Sequence, residues 1–278
     1  MQPFYLSDLD FTLLRSDQSL SDFTRDVWNA CVARGVKLSV ATARSHTGVT
    51  KLLRGLRLEE PMILLDGVMI ARADGEILHL AAIGKALGDA IIDEVYRASG
   101  LYPLLVGLDD EGRERFVYPK KRSRCQEELL ATFHNDRRLL DADPFRAMGR
   151  NLKLVYVDDE STTAALEELL KGRFGDAVEL KRSKDPYIDC FFLTVLDKRG
   201  DKAHALARLE EIEGVDRAHT TVFGDSHNDL GLFAMAGRRI AVANAIEELK
   251  AAADIVLKES NDQDAVAKFL QKECLDAE

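Results

Sequence analysis

The residues Phe4-Tyr5-Leu6-Ser7-Asp8-Leu9-Asp10-Phe11-Thr12 pass from an apolar run to a pair of carboxylates within one short segment. Phe4 to Asp8 has the character of a buried strand, and a helical pattern follows it. Ser21 stands as an N-cap, Phe23, Val27, Ala30 and Cys31 recur at helical spacing, and Gly35 sits where a C-cap glycine belongs. Val36 to Ala41 repeats the strand, Thr47 to Leu56 the helix, and Met62 to Leu65 the strand again. Short apolar strands alternating with helices mark a parallel sheet with crossover connections. Asp74-Gly75, between Val68-Met69-Ile70 and Ile77-Leu78, adds a hairpin turn.

The same alternation resumes late in the chain, with strands expected at Thr220 to Phe223, Ile240 to Ala243 and Ile255 to Leu257. Between these two regions the texture differs. A helix through Ala98 is followed by strands at Leu101 to Val106 and Arg113 to Tyr118, a helix from Cys125, and a strand at Leu152 to Val157. Helix Thr162 to Lys171 and strands near Ala177 to Leu180 and Tyr187 to Leu193 complete this block, which reads as α+β with partly antiparallel pairing. The expected fold is α/β: a doubly wound, Rossmann-like parallel-sheet core from residues 1–82 and 190–278, interrupted by an inserted α+β domain at 83–189.

Composition narrows the function. A chain of 278 residues, 46% hydrophobic and 31% charged, is a packed globular protein rather than a fibre or a disordered tail. Its 48 acidic against 38 basic side chains leave a net charge of −10, which repels nucleic acid and anionic membrane surfaces alike. A small phosphorylated substrate meets the same repulsion and needs local positive charge, a metal ion included. Cys31, Cys125, Cys190 and Cys274 form no C-x-x-C pair, so reduced thiols are expected. The first residues lack a basic segment followed by an apolar core, and no uncharged run approaches ~18 residues. A cytoplasmic protein without a membrane span is the expectation.

In a doubly wound sheet, ligands bind beyond the carboxyl ends of the strands. Four groups of residues fall there. Asp8 and Asp10 follow the first strand; in extended geometry side chains two apart share a face, so both acids would flank one reacting centre. An ionised aspartate attacks an electrophile without a base to activate it, while its crowded neighbour holds a proton for a leaving group. Thr42, with Arg44, ends the second strand ahead of a helix, where a hydroxyl and backbone N–H groups make an anion site. Lys202 begins a helix through Ala203, Leu206 and Leu209, a position more often occupied by a solvated surface charge. Gly224-Asp225-Ser226-His227-Asn228-Asp229 gathers two carboxylates and an amide at a strand end. Such hard oxygen donors suit magnesium, whereas one imidazole among oxygens is poor zinc chemistry, which leaves His227 as a loop or site-lining residue.

Taken jointly and in this order, the four groups strongly resemble the haloacid dehalogenase superfamily of phosphatases. The aspartate-x-aspartate-x-threonine motif lies at Asp8 to Thr12, the second-motif threonine at Thr42, the third-motif lysine at Lys202, and the acidic motif at Gly224 to Asp229. Val242-Ala243-Asn244-Ala245 and Ala253-Asp254-Ile255-Val256 are similar to the tail of the Cof-like, sugar-phosphatase branch. The resemblance implies that Asp8 attacks phosphorus to form an aspartyl-phosphate, while Asp10 protonates the departing alcohol and then deprotonates water. It implies that Thr42 and Lys202 hold the phosphoryl oxygens. Magnesium would be bound by the Asp8 carboxylate, the Asp10 carbonyl and Asp225, with Asn228 and Asp229 completing or orienting that site. The inserted block would be a cap that closes over the site and reads the leaving group. Phe11 and Ala43 stand where the branch has glycines, Asp66-Gly67 where asparagine-glycine is frequent, and Ala265 at a late glycine position. None of these removes a catalytic group, but Phe11 places a bulky ring beside the nucleophile.

The expected activity is a magnesium-dependent phosphatase of a small phosphorylated metabolite, a sugar phosphate by resemblance. A phosphomutase, passing the aspartyl-phosphate to a second hydroxyl, and a non-catalytic phospho-ligand sensor are the alternatives. The oligomeric state stays open between monomer and dimer. The basic run Lys120-Lys121-Arg122-Ser123-Arg124 reads as a solvated loop, and Trp28 as core.

Overall fold

The computed structural model describes residues 3–133, 135–185 and 188–276. Five parallel strands form the central sheet, in the order Ile255–Val256, Arg238–Ala241, Thr220–Gly224, Phe4–Ser7, Lys37–Val40. Phe4–Ser7 is buried along its whole length, which is why the segment reads as apolar without alternation. Lys37–Val40 follows it on one side and Thr220–Gly224 flanks it on the other. The connections therefore leave in opposite directions at this strand, which makes its carboxyl end a topological switch point.

The helix after the first strand spans Asp22–Ala33 and is capped by Ser21, whose side chain accepts from the Thr24 N–H. It buries Val27, Trp28, Cys31 and Val32. The hairpin turn at Asp74-Gly75 is present: Met69–Ala71 pairs antiparallel with Ile77–Leu80, and Met62–Leu64 completes this small sheet. A single parallel bridge from Ala41 to Ile63 adjoins it to Lys37–Val40.

The chain divides into two compact units, Met1–Leu80 with Asp201–Glu278, and Ala81–Gly200. The second unit is a mostly antiparallel sheet ordered Val178–Lys184, Phe191–Asp197, Arg150–Asp158, Leu104–Leu108, Glu114–Pro119, Leu139–Ala142. Helices Lys85–Ser99 and Glu160–Phe174 bury Ile91, Ile92, Val95, Leu166 and Leu170 against Leu105, Leu154, Tyr156, Leu193 and Val195. Residues 81–82 and 190–200, expected in the core, belong here instead. Phe191–Asp197 lies antiparallel between two strands of this unit, and its apolar residues enter that unit's core. Tyr187, the expected start of this strand, lies outside the described residues.

The thiol expectation is also corrected. Cys125 and Cys190 form a disulfide, with Cα atoms 6.0 Å apart, while Cys31 and Cys274 are free. Spacing along the chain gave no hint, because the fold of this unit brings together cysteines 65 residues apart. No helix among the described residues is long and apolar enough to cross a membrane.

Candidate active site

Asp8 is held by the sheet. Its N–H donates to the Phe223 carbonyl at 3.0 Å, continuing the ladder one residue past the strand, and its side chain is buried. The chain then turns sharply. The Leu14 N–H reaches back to the Leu9 carbonyl at 2.8 Å, and Phe11 within that turn adopts a left-handed conformation with φ +59°. Asp10, just before that turn, stays near enough to the acid cluster for its charge to bear on Asp225. Asp8 ends in a buried pocket, whereas Asp10 is half-buried and engages a different partner.

That partner is Arg44. Its Nε and Nη2 donate to Asp10 Oδ2 and Oδ1 at 2.8 and 2.5 Å, a two-pronged pair, and Nη2 also donates to Gln18 Oε1 at 3.0 Å. Arg44 sits on the loop after Lys37–Val40, and backbone bonds fix that loop. The Thr42 N–H donates to Ile63 O, the Asp66 N–H to Thr42 O, and the Leu65 N–H to Arg44 O, at 2.9, 2.9 and 3.0 Å. Thr42 is fully buried and its Oγ1 accepts from the Arg44 N–H at 3.1 Å.

Lys202 is the largest departure from the surface charge that helix position suggests. It is 1% exposed, and its Nζ donates to Asp8 Oδ1 at 2.6 Å and to Asp229 Oδ1 at 2.7 Å. The helix it begins, Lys202–Glu213, is capped by Asp201, which accepts from the His204 N–H. Gly67 packs beneath this corner with φ +113°, and a Cβ there would lie 2.1 Å from the Asp201 carbonyl oxygen. Only glycine tolerates both that approach and that backbone, so Gly67 seats the start of the lysine's helix.

The loop after Thr220–Gly224 supplies the remaining acids. Asp229 is fully buried and its Oδ2 accepts from the N–H groups of Asp225 and Ser226 at 3.1 and 3.3 Å. Gly224 makes room for it, since a Cβ at that position would lie 2.7 Å from Asp229 Oδ2. Asp225 Oδ1 accepts from Thr12 Oγ1 at 3.1 Å, tying this loop to the one bearing Asp8 and Asp10. Asn228 accepts from Ser226 Oγ at 2.7 Å, a bond within its own loop. His227 is exposed and pairs with Glu248 rather than with the acids. Asn244 was not among the expected site residues. Its Nδ2 donates to the Phe11 carbonyl at 2.8 Å and its Oδ1 accepts from the Asn261 N–H at 2.9 Å, clamping the first loop from the C-terminal part of the chain. Its place in Val242-Ala243-Asn244-Ala245 was the available signal.

Asp8, Asp225 and Asp229 each present a carboxylate oxygen, and these lie within 4.8 Å of one another. Burial pushes the Asp8 carboxyl well above its ordinary range; Lys202 pulls it back, and Asp229 and Asp225 push it up again. Asp225 is raised to about 6, by burial first and by the charge of Asp229 second. Burial lowers the Lys202 ammonium, but Asp229 and Asp8 outweigh it and hold the group above its usual value. Three carboxylates served by one ammonium leave an excess of negative charge that a divalent cation would neutralise. Oxygens no more than 4.8 Å from one another are near enough to share one small hard cation, which holds its oxygen ligands at about 2.1 Å. The donor set, all hard oxygen, fits that ion.

A haloacid dehalogenase-like hydrolase profile matches residues 5–270. A 5-amino-6-(5-phospho-D-ribitylamino)uracil phosphatase of Bacillus subtilis is 27% identical over 284 residues, covering 95% of this chain and 96% of that protein. An HMP-PP phosphatase of Cronobacter sakazakii is 25% identical over 256 residues, covering 88% and 85% respectively. Among solved structures, a haloacid dehalogenase-like hydrolase from Bacteroides thetaiotaomicron shares the fold with a TM-score of 0.79 at 22% identity, over 98% of this chain and 99% of that one. With the profile spanning nearly the whole chain, both units included, this protein belongs to the haloacid dehalogenase-like hydrolases, in their Cof-like phosphatase branch.

Proposed function

We propose that the chain is a magnesium-dependent phosphomonoester hydrolase working through an aspartyl-phosphate on a small phosphorylated metabolite of the sugar-phosphate type. The observation that carries this reading is the buried triad of Asp8, Lys202 and Asp229, a nucleophile-grade carboxylate held against an ammonium at a strand end. The Bacillus subtilis relative, named for a ribityl phosphate, supports a polyhydroxy leaving group.

An Asp8 oxygen attacks phosphorus while the bond from phosphorus to the leaving oxygen breaks, and Asp10 delivers a proton to that oxygen. Water then attacks the same phosphorus, gives a proton to Asp10, and the bond to Asp8 breaks, freeing phosphate and restoring both acids. Lys202 and Thr42 hold the phosphoryl oxygens. Magnesium, when bound, offsets the repulsion between carboxylate and phosphate. The Asp8 carboxylate, the Asp10 carbonyl and Asp225 would hold it. Asp229 serves best as an orienting group, since Lys202 and two backbone N–H groups already occupy its oxygens. Asn228 steadies that loop.

Arg44 enters the cycle as the group that positions Asp10. Both Asp10 oxygens accept from it, so the acid step requires one oxygen to be released. An incoming phosphoryl group competes for the same guanidinium. The inserted unit, Ala81–Gly200, is assigned the cap's part of selecting the leaving group.

The test is phosphate release from a panel of sugar monophosphates and an aryl phosphate, with and without magnesium, by wild type and Asp8→Asn. Release that requires both magnesium and Asp8 supports the proposal. Unchanged turnover by Asp8→Asn overturns the nucleophile assignment, and isomerised sugar phosphate without free phosphate indicates a mutase.

A further inference from the structure

Phe11 combines two features that folding alone disfavours. Its φ of +59° lies in the left-handed region, where a bulky side chain is an outlier and glycine is at ease. The residue is also 50% exposed, so the unfavourable backbone is not offset by burial in a core. Among the described residues, the other large exposed hydrophobics, Phe23, Ile77, Tyr96, Leu140 and Val256, have no such backbone.

The base of this ring is rigid. Asn244 grips the Phe11 carbonyl, the bond from Leu14 to Leu9 closes the turn around it, and Thr12 next in line is tied to Asp225. Phe11 directly follows Asp10, on the loop that carries both acids. Backbone strain that persists because its surroundings enforce it is characteristic of ligand-contacting positions. An aromatic face held still before the ligand arrives loses little freedom on binding.

We infer that Phe11 is a specificity-determining residue whose exposed ring stacks on the leaving group of the substrate, favouring, among polyhydroxy phosphate esters, those that also carry an aromatic ring. This rests on the phosphatase reading of the same site. A flat π-bearing group gains from an aromatic partner beyond the area it covers, whereas an open polyol chain does not.

The experiment compares kcat/KM for phenyl phosphate with that for glycerol phosphate in wild type, Phe11→Gly, Phe11→Leu and Phe11→Tyr, with melting curves for each. The ratio of aryl to alkyl ester is expected to fall about three- to tenfold in Phe11→Gly and Phe11→Leu, as loss of one stacking partner implies. Phe11→Tyr is expected to retain it. Because glycine relaxes the left-handed backbone, Phe11→Gly should melt at or above the wild-type temperature. An unchanged ratio in folded Phe11→Gly and Phe11→Leu overturns the assignment while leaving the phosphatase reading intact. Hydrolysis of sugar monophosphates but not of phenyl phosphate by wild type overturns the stacking assignment alone, and hydrolysis of no ester at all overturns the phosphatase reading with it.

Discussion

Replacing Lys202 with methionine keeps the length of the side chain and removes its charge. In the native site that charge serves two carboxylates at 2.6 and 2.7 Å, with side-chain exposures of 1% for the lysine, 7% for Asp8 and 0% for Asp229. Taking one partner from a buried ion pair costs about 3–5 kcal/mol, because the charge left behind has neither water nor a counter-ion. Two acids lose their partner here, but Asp8, already pushed upward by burial, escapes part of the penalty by taking up a proton. The expected loss is about 4 kcal/mol, which lowers the melting midpoint by about 8–16 °C in a chain of this size. The sign of its pH dependence follows. In the variant the folded-state pKa of Asp8 stands further above its unfolded value, so stability is lost as pH rises and regained as pH falls. Melting followed by far-ultraviolet circular dichroism in chelator, at pH 5 and pH 8, should show the gap to wild type narrowing at the lower pH. Phosphate release should fall by about two to three orders of magnitude, the scale for losing one preorganised group that stabilises developing charge. A loss of stability under about 1 kcal/mol, typical of a surface lysine, would refute the buried-pair account.

Asp225, raised to about 6, should bind a proton in competition with the cation, so magnesium affinity should drop up to about tenfold per pH unit below that value. Calorimetric titration at pH 5, 6 and 8 checks this, and a flat affinity would remove Asp225 from the metal site. The disulfide closes a loop of 65 residues, for which chain entropy gives about 4 kcal/mol. Dithiothreitol should therefore lower the melting temperature of wild type but not that of the double variant Cys125→Ser/Cys190→Ser. Indifference of wild type to the reductant would show that the bond contributes no stability.

How much of the site was readable depended on how local each signal was. Asp8, Thr42 and Asp225 could be assigned to strand ends because apolar runs delimit strands within a few residues, and acids or hydroxyls just beyond them stand out. Lys202 could not be separated from a surface lysine on pattern alone, since helix position says nothing about what covers the tip of a long side chain. Its rank as a candidate came from resemblance to a family. The pairing of Asp10 with Arg44 went unread because it depends on how the loop after Lys37–Val40 is held beside the first one, which backbone bonds to Ile63, Leu65 and Asp66 decide and local sequence does not. The expectation of free thiols failed for a related reason: cysteine spacing reports local motifs, not that the helix Arg124–Ala131 packs against the residue before strand Phe191–Asp197.

By itself the sequence determined most of the strands and helices, the change of texture in the middle of the chain and the acids and hydroxyls at strand ends, which follow from hydrophobic period and local side-chain type, while Lys202 became a candidate through family resemblance. The tertiary structure alone decided which of those residues touch. Lys202 meets Asp8 across 194 residues of chain and Thr12 meets Asp225 across 213, contacts created when parallel strands from the two ends of the chain pair side by side. Burial at that junction then shifts the acids' proton affinities, because desolvation and mutual repulsion act through space.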